Sequence, residues 1–193
     1  VKPAQARLPR EVRIIGGQWK RTKLVVPDKP GLRPTPDRVR ETVFNWLGQD
    51  LTGWNCLDAF AGTGALGLEA ASRGAAQCIL VEQDAALVRG LQAICTRLAA
   101  SQVRVQRGDG IAALQGVEAG ALDLVFLDPP FDAPVFERAL KAASTAIKSN
   151  GLVYLEAPKA WAEEALAPLG LMAVRTGKAG MVHYHLLRRL PAA

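Results

Sequence analysis

The residues best equipped for chemistry stand together at 128–131, Asp-Pro-Pro-Phe, directly after the apolar run Leu124–Leu127. A buried strand that ends this way delivers a carboxylate, a stiffened backbone and an aromatic ring to one point. Proline locks φ, so the direction of the Pro129 carbonyl is fixed. Asp128 and that carbonyl can each accept from one N–H of a planar amine, and Phe131 offers a face for stacking. This arrangement suits methyl transfer to the exocyclic amine of a base. Such a nitrogen is a poor nucleophile, because its lone pair is delocalised into the ring. Two acceptors turn the lone pair toward an incoming methyl and hold the nitrogen in line with it.

Other acids follow apolar runs in the same way: Asp58, Glu82 with Asp84, and Asp109. Burying several carboxylates near one crevice is unfavourable unless a ligand supplies donors or positive charge. Between the first two lies "GTGALG", in which Gly62, Gly64 and Gly67 fit G-x-G-x-x-G. That pattern alone also fits a nicotinamide dinucleotide. A pyrophosphate disfavours nearby acids, however, and Asp58 precedes the first glycine by four residues. S-adenosylmethionine has no phosphate. Its ammonium suits Asp58, its ribose diol suits Glu82, and its adenine amine suits Asp109.

The elements that must position these groups alternate. "NCLDAF", "QCILVEQD", "VRVQRGD", "LDLVFLDPPF" and "GLVYLEAP" read as strands, separated by helical stretches. One helix is expected over "APVFERALKAASTAIKSNG", stopped by Asn150-Gly151, and a short one near Trp161–Leu166. "LMAVRTG" and "MVHYHLLRR" have no helix between them and predict an antiparallel finish. Strands alternating with helices predict an α/β fold with a mostly parallel sheet covered on both faces. Upstream, "EVRIIGGQWKRTKLVVP" predicts a β-hairpin with a glycine turn. "TPDRVRETVFNWL" predicts a helix capped by Thr35, with Pro36 first and Val39, Val43, Trp46 and Leu47 on its buried face.

Charge is unevenly spread. Residues 1–40 hold eleven Lys or Arg and three acids, a net +8, while the whole chain is +6. A basic segment on a near-neutral body predicts a phosphate-rich partner. The chain of 193 residues is long enough for one full-sized core. No apolar run is long enough to span a bilayer, no signal peptide is evident, and three cysteines without CxxC spacing read as reduced buried thiols. A cytoplasmic protein is expected.

"DPPF" after the fourth strand, with "LDAFAGTGALGLEA" before it, is similar to the [DNS]-P-P-[YFW] amino-methyltransferases. "RIIGGQWKRTKLVVP" followed by "RPTPDRVRETVFNWL" resembles the RsmD family, the 16S ribosomal RNA guanine-N2 methyltransferases. The resemblance runs from about Arg13 through the last strands. It implies a Rossmann-like class I S-adenosylmethionine-dependent methyltransferase, with a seven-stranded sheet and an antiparallel C-terminal strand. A basic extension over 1–34 with its hairpin would precede a methyltransferase domain over 35–193. The implied catalytic loop is Asp128, Pro129, Pro130 and Phe131. Cofactor contacts are expected at Asp58, Phe60, Gly62, Gly64, Glu82, Gln83, Asp109, Gly110 and Arg38, the last closing over cofactor or target base. RNA contacts are expected at Arg13, Lys20, Arg21, Lys23 and Arg33. The implied partner is 16S rRNA on the assembled small ribosomal subunit, met by a monomer without metal or membrane.

Other features carry plainer readings. His183 and His185 share a strand face but lack a third metal ligand, Arg188 and Arg189 read as a solvated end, and Trp46 and Trp54 as packing. Trp19 fits either RNA stacking or pinning of the hairpin. Two further functions fit the same residues. One is DNA adenine-N6 or protein glutamine methylation. The other is a catalytically silent RNA-binding or assembly module.

Overall fold

The computed structural model describes residues 11–191. Lys2, Arg7 and Arg10 of the basic segment lie outside these described residues. Strands β1 (Glu11–Arg13) and β2 (Lys23–Val25) pair antiparallel, then helix α1 (Asp37–Trp46) leads into the main body. There β3 (Asn55–Asp58), β4 (Gln77–Glu82), β5 (Val103–Arg107), β6 (Leu122–Leu127) and β7 (Ile147–Ala157) alternate with α2 (Ala65–Ser72), α3 (Ala85–Arg97), α4 (Gly110–Gln115) and α5 (Phe136–Ala146). A short α6 (Glu163–Leu166) precedes β8 (Leu171–Ala179) and β9 (Val182–Arg189). The seven-stranded sheet has the order β5-β4-β3-β6-β7-β9-β8, and only β9 runs against its neighbours. This is the Rossmann-like methyltransferase architecture.

Burial on both faces explains the near-continuous apolar strands. Leu57, Val125, Val153 and Leu155 point to the α5 side, packed with Leu140 and Ala143. Cys56, Leu124, Phe126 and Tyr154 point to the other side, under Val43 and Phe44 of α1 and Leu47 just after it. Val12, Ile14, Leu24 and Val26 of the hairpin share a third cluster with Leu68, Leu80 and Leu91. Trp19 packs against two of these clusters, and its backbone N–H donates to Ser72 Oγ at 2.9 Å. The hairpin connection is longer than a glycine turn. Gly17, at φ +76°, lies where the chain crosses α2, and a Cβ there would sit 1.9 Å from the Ser72 carbonyl oxygen.

Two local expectations fail, and one element goes unforeseen, for identifiable reasons. Thr35 does not cap α1. Pro36 holds that position, and the Thr35 hydroxyl donates to Glu156 instead. Helix α5 ends at Ala146, and Asn150-Gly151 lies inside β7. The register there shifts between Leu122↔Ile147 and Leu124↔Leu152, so Asn-Gly marks a bulge rather than a helix stop. Helix α4 was not expected, being only six residues long. Its signal is Asp109, whose carboxylate caps it by accepting from Ala112 N–H.

Candidate active site

The strand order reverses at β3, which has β4 on one side and β6 on the other. Ligands of open α/β sheets bind in the crevice above such a switch point. Asp58 ends β3 and Asp128 follows β6, so both carboxylates face that crevice.

Asp58 is buried. Its Oδ2 accepts from Gly67 N–H at 3.1 Å, while Oδ1 is buried with no partner among the described residues. Burial raises its pKa to about 7, against the lowering effect of the Gly67 and Phe60 amides and with added repulsion from Glu82 and Glu156. A buried orphan acceptor beside a crevice calls for a cationic donor, and an ammonium would restore the ionised form. The glycine turn packs closely beside Asp58. Gly62 and Gly64 have left-handed φ of 54° and 82°. A Cβ on Gly67 would lie 2.1 Å from Leu80 Cδ2, and one on Gly110 would lie 1.9 Å from the Ala59 carbonyl oxygen. A side chain at Gly110 would push the start of α4 off the backbone after β3, and one at Gly67 would displace the Leu80 side chain and crowd Asp58.

Glu82 is held by backbone. Oε2 accepts from Gly62 N–H at 2.9 Å and Oε1 from Asp84 N–H at 2.8 Å, which leaves outward lone pairs for a diol. Gln83 Nε2 donates to Asp109 Oδ2 at 3.1 Å, joining the ends of β4 and β5. Asp84 caps α3 and accepts from Lys29 Nζ at 2.5 Å, and that contact foremost holds its carboxyl down at about 2. Phe60 is half-buried beside Asp58.

At the other wall, Asp128 is half-buried, Pro129 is buried, and Pro130 and Phe131 are exposed. Asp128 accepts no side-chain or backbone hydrogen bond among the described residues, which leaves its oxygens to a ligand. Burial, then Glu156 and Asp58, raise its pKa well above the usual carboxylate range. Phe131 keeps 39% of its surface exposed, an available stacking face.

Glu156 is a site residue that the sequence reading missed. It stands one residue past Leu155, the partner of Leu127, and so beside Asp128. It is 5% exposed, and its Oε1 accepts from Thr35 Oγ1 at 2.6 Å and Tyr154 Oη at 2.8 Å. The signal was present: "GLVYLEAP" is a fifth strand that ends in an acid. Lys29 at Asp84, Leu32 near Gly62 and Thr35 at Glu156 show that residues 27–35 pass along the mouth of the crevice. Arg38, one turn further, is exposed and bonds none of the crevice carboxylates.

Arg13, Lys20, Arg21, Lys23 and Arg33 are all exposed. Gln18 N–H donates to the Ser72 carbonyl at the C-terminal end of α2, so the tip bearing Lys20 and Arg21 lies at the end of the sheet away from the crevice. His185 is a core residue whose Nε2 accepts from Trp161 N–H at 3.1 Å. Among the described residues, no group of three His, Cys, Asp or Glu could hold a metal ion. No helix among them is long and apolar enough to cross a membrane.

A family model described as Conserved hypothetical protein 95 matches residues 12–188. The chain belongs to this family. It is 41% identical over 183 residues to ribosomal RNA small subunit methyltransferase D of Escherichia coli K12, a match covering 93% of this chain and 90% of that protein. The protein of the same name from Haemophilus influenzae is 38% identical over 181 residues, covering 91% and 93%. A solved Escherichia coli methyltransferase chain superposes with a TM-score of 0.79 at 36% identity, covering 93% of this chain and 98% of that one. These likenesses agree with the RsmD resemblance drawn from the motifs, and they make this a chain of a methyltransferase family.

Proposed function

We propose that this protein transfers a methyl group from S-adenosylmethionine to the exocyclic N2 amine of one guanine in 16S ribosomal RNA, on the assembled small subunit. The observation that carries the reading is Asp128, a half-buried carboxylate with no donor among the described residues, near an Asp58 whose Oδ1 is unpartnered and followed by an exposed Phe131. The names of the relatives support a small-subunit ribosomal RNA as substrate.

In this reading Asp58 Oδ1 takes the methionyl ammonium, Glu82 the ribose hydroxyls, and Asp109 with Gln83 the adenine edge. The cofactor supplies an electrophilic methyl on a sulfonium. Phe131 stacks on the extruded guanine, and Asp128 and the Pro129 carbonyl each accept one N2–H. The lone pair then points at the methyl carbon. Methyl transfer would form the N–C bond as the methyl–sulfonium bond breaks, its electron pair staying on sulfur as a neutral thioether, and Asp128 would take up the proton shed by the cationic nitrogen. A guanine already held in a loop costs less to extract than one in a duplex.

Labelled methyl from S-adenosylmethionine, offered with small subunits, naked 16S RNA, DNA and protein, tests this. Label should enter the RNA of small subunits most readily. Entry into DNA or protein alone overturns the substrate, and no transfer to any of them favours an assembly module. Glu82→Ala should weaken S-adenosylmethionine and its demethylated product alike by about 1.5–3 kcal/mol, because both share the ribose. Calorimetry that finds unchanged affinity for both contradicts that role. In this proposal Arg13, Lys20, Arg21, Lys23 and Arg33 contact RNA phosphates. Replacing Lys20, Arg21 and Lys23 by Ala should flatten the log-affinity against log-salt slope for small subunits by up to about 2–2.7 units. An unchanged slope would reduce that tip to a solubilising segment.

A further inference from the structure

A second cationic surface lies on the other side of α1. A groove of about 1070 Å³ opens where α1 leaves the last strands of the sheet uncovered. Trp46, Leu152 and Val174 contribute its apolar surface, and Arg175, Arg188 and Arg189 its charge. No Asp or Glu lines it, and none of the three arginines is in an ion pair among the described residues. All three are exposed. Two of them make non-ionic contacts. Arg188 Nε lies 3.5 Å from Met172 Sδ, and Arg189 Nη1 donates to the Ile147 carbonyl at 3.4 Å. The strand pairing sets Arg175 opposite Leu186 and Arg188 opposite Met172 on the α1 face of the sheet, while Arg189, the next residue on β9 and opposite Leu171, borders the groove from the other face at its end. Trp46 is steadied by stacking on Tyr184, with ring centroids 5.4 Å apart, and remains partly exposed.

Exposed cations with no ion-pair partner among the described residues, beside an apolar and aromatic floor, match a nucleic-acid strand. Phosphates would meet guanidinium forks, and a base or ribose would lie against the indole. A protein partner would need acidic side chains set to the same three positions, and nothing in the groove selects for them.

The groove's place in the fold sets what it can reach. Ala157 pairs with His183 near the crevice, and Leu152 pairs with Arg188, five residues further along both strands. At the strand rise this is about 17 Å from the crevice end. It is also the end of the sheet where the hairpin tip meets α2. One target loop seated on Phe131 therefore leaves this groove free for a different stretch of RNA.

We infer that the Arg175–Arg188–Arg189 groove docks the phosphate backbone of an RNA segment distinct from the one carrying the target base. The inference rests on the RNA reading above. It gives a physical reason for preferring a large, folded RNA over an isolated loop: only a large substrate reaches both sites.

The test compares the parent with a variant carrying Arg175→Ala, Arg188→Ala and Arg189→Ala, using labelled methyl transfer to small subunits and to a short hairpin with the target loop. Thermal stability and cofactor affinity should match the parent. KM for small subunits should rise about tenfold or more at physiological salt, with kcat retained, and the salt slope should flatten by up to about 2–2.7 units. Turnover of the hairpin should not change. An unaltered KM for subunits overturns the groove. An equal loss on the hairpin places the arginines at the target loop instead and overturns it too. A loss on subunits whose salt slope is unaltered assigns the face to a ribosomal protein and also overturns it. Failure of the parent to methylate either RNA would count against the proposed function rather than the groove.

Discussion

Asp128→Ala is expected to lower turnover about 10²–10³-fold, or ~2–4 kcal/mol of transition-state stabilisation, with cofactor affinity near that of the parent. The carboxylate matters most as the nitrogen pyramidalises and gains positive charge, so its loss falls on kcat rather than on ground-state binding. The parent's rate should also depend on pH in one direction. Burial, Glu156 and Asp58 raise the Asp128 pKa, and only the ionised form can take up the proton that the methylated nitrogen sheds. The rate should therefore rise with pH through that raised pKa and then level off. The residual rate of Asp128→Ala should lose this limb. Single-turnover assays across pH, with calorimetry for the cofactor, would decide. Near-normal turnover, or a loss of cofactor affinity as severe as the loss of rate, contradicts the role.

Glu69→Ala is expected to destabilise the fold by about 3–5 kcal/mol, because it removes the one buried carboxylate of Arg40 among the described residues, leaving only the exposed Asp37, and strands the Ile15 and Gly16 amides. Glu69 and Arg40 are both fully buried. Both Glu69 oxygens are filled: Oε2 accepts from Ile15 N–H at 2.8 Å and Arg40 Nη1 at 3.2 Å, and Oε1 from Gly16 N–H at 2.8 Å and Arg73 Nε at 2.9 Å. Arg40 also donates to the carbonyls of Thr35 and Arg13 and to Asp37 Oδ1. One carboxylate thus ties the hairpin connection, α1 and α2 together. Urea unfolding would measure the effect, and protease cutting within residues 14–22 should appear at lower denaturant than in the parent. A loss below about 1 kcal/mol would mean that the network stabilises little beyond its own desolvation cost.

The sheet was legible because its central strands carry short apolar runs, Ile79–Val81 in β4 and Leu124–Leu127 in β6, that alternate with helical stretches, and the antiparallel finish because no helix separates the last two. The crevice was legible because acids recur at the carboxyl ends of strands. What stayed hidden depends on contacts distant in sequence. Thr35 reads as a helix cap from its neighbours, and only the fold places Glu156, 121 residues away, within 2.6 Å of its hydroxyl. Arg40 reads as one more surface cation of a basic segment, yet it is fully buried, because Glu69 arrives from α2. Asp109 was singled out for a ligand, and it also caps α4. Asn150-Gly151 has the composition of a stop, and the competing pairing of β7 with β6 turns it into a bulge. Local composition cannot register such pairings, since each depends on what the chain brings from elsewhere.

The central claim is that Asp128 and the Pro129 carbonyl orient an exocyclic guanine amine for methylation. Its most direct test is to label small subunits with methyl from S-adenosylmethionine, digest their RNA to nucleosides, and identify the labelled product for the parent and for Asp128→Ala. The account predicts N2-methylguanosine from the parent, at one position, and label lowered by two to three orders of magnitude in initial rate with the variant. Label on a ring nitrogen, on a ribose hydroxyl or on adenine would contradict it.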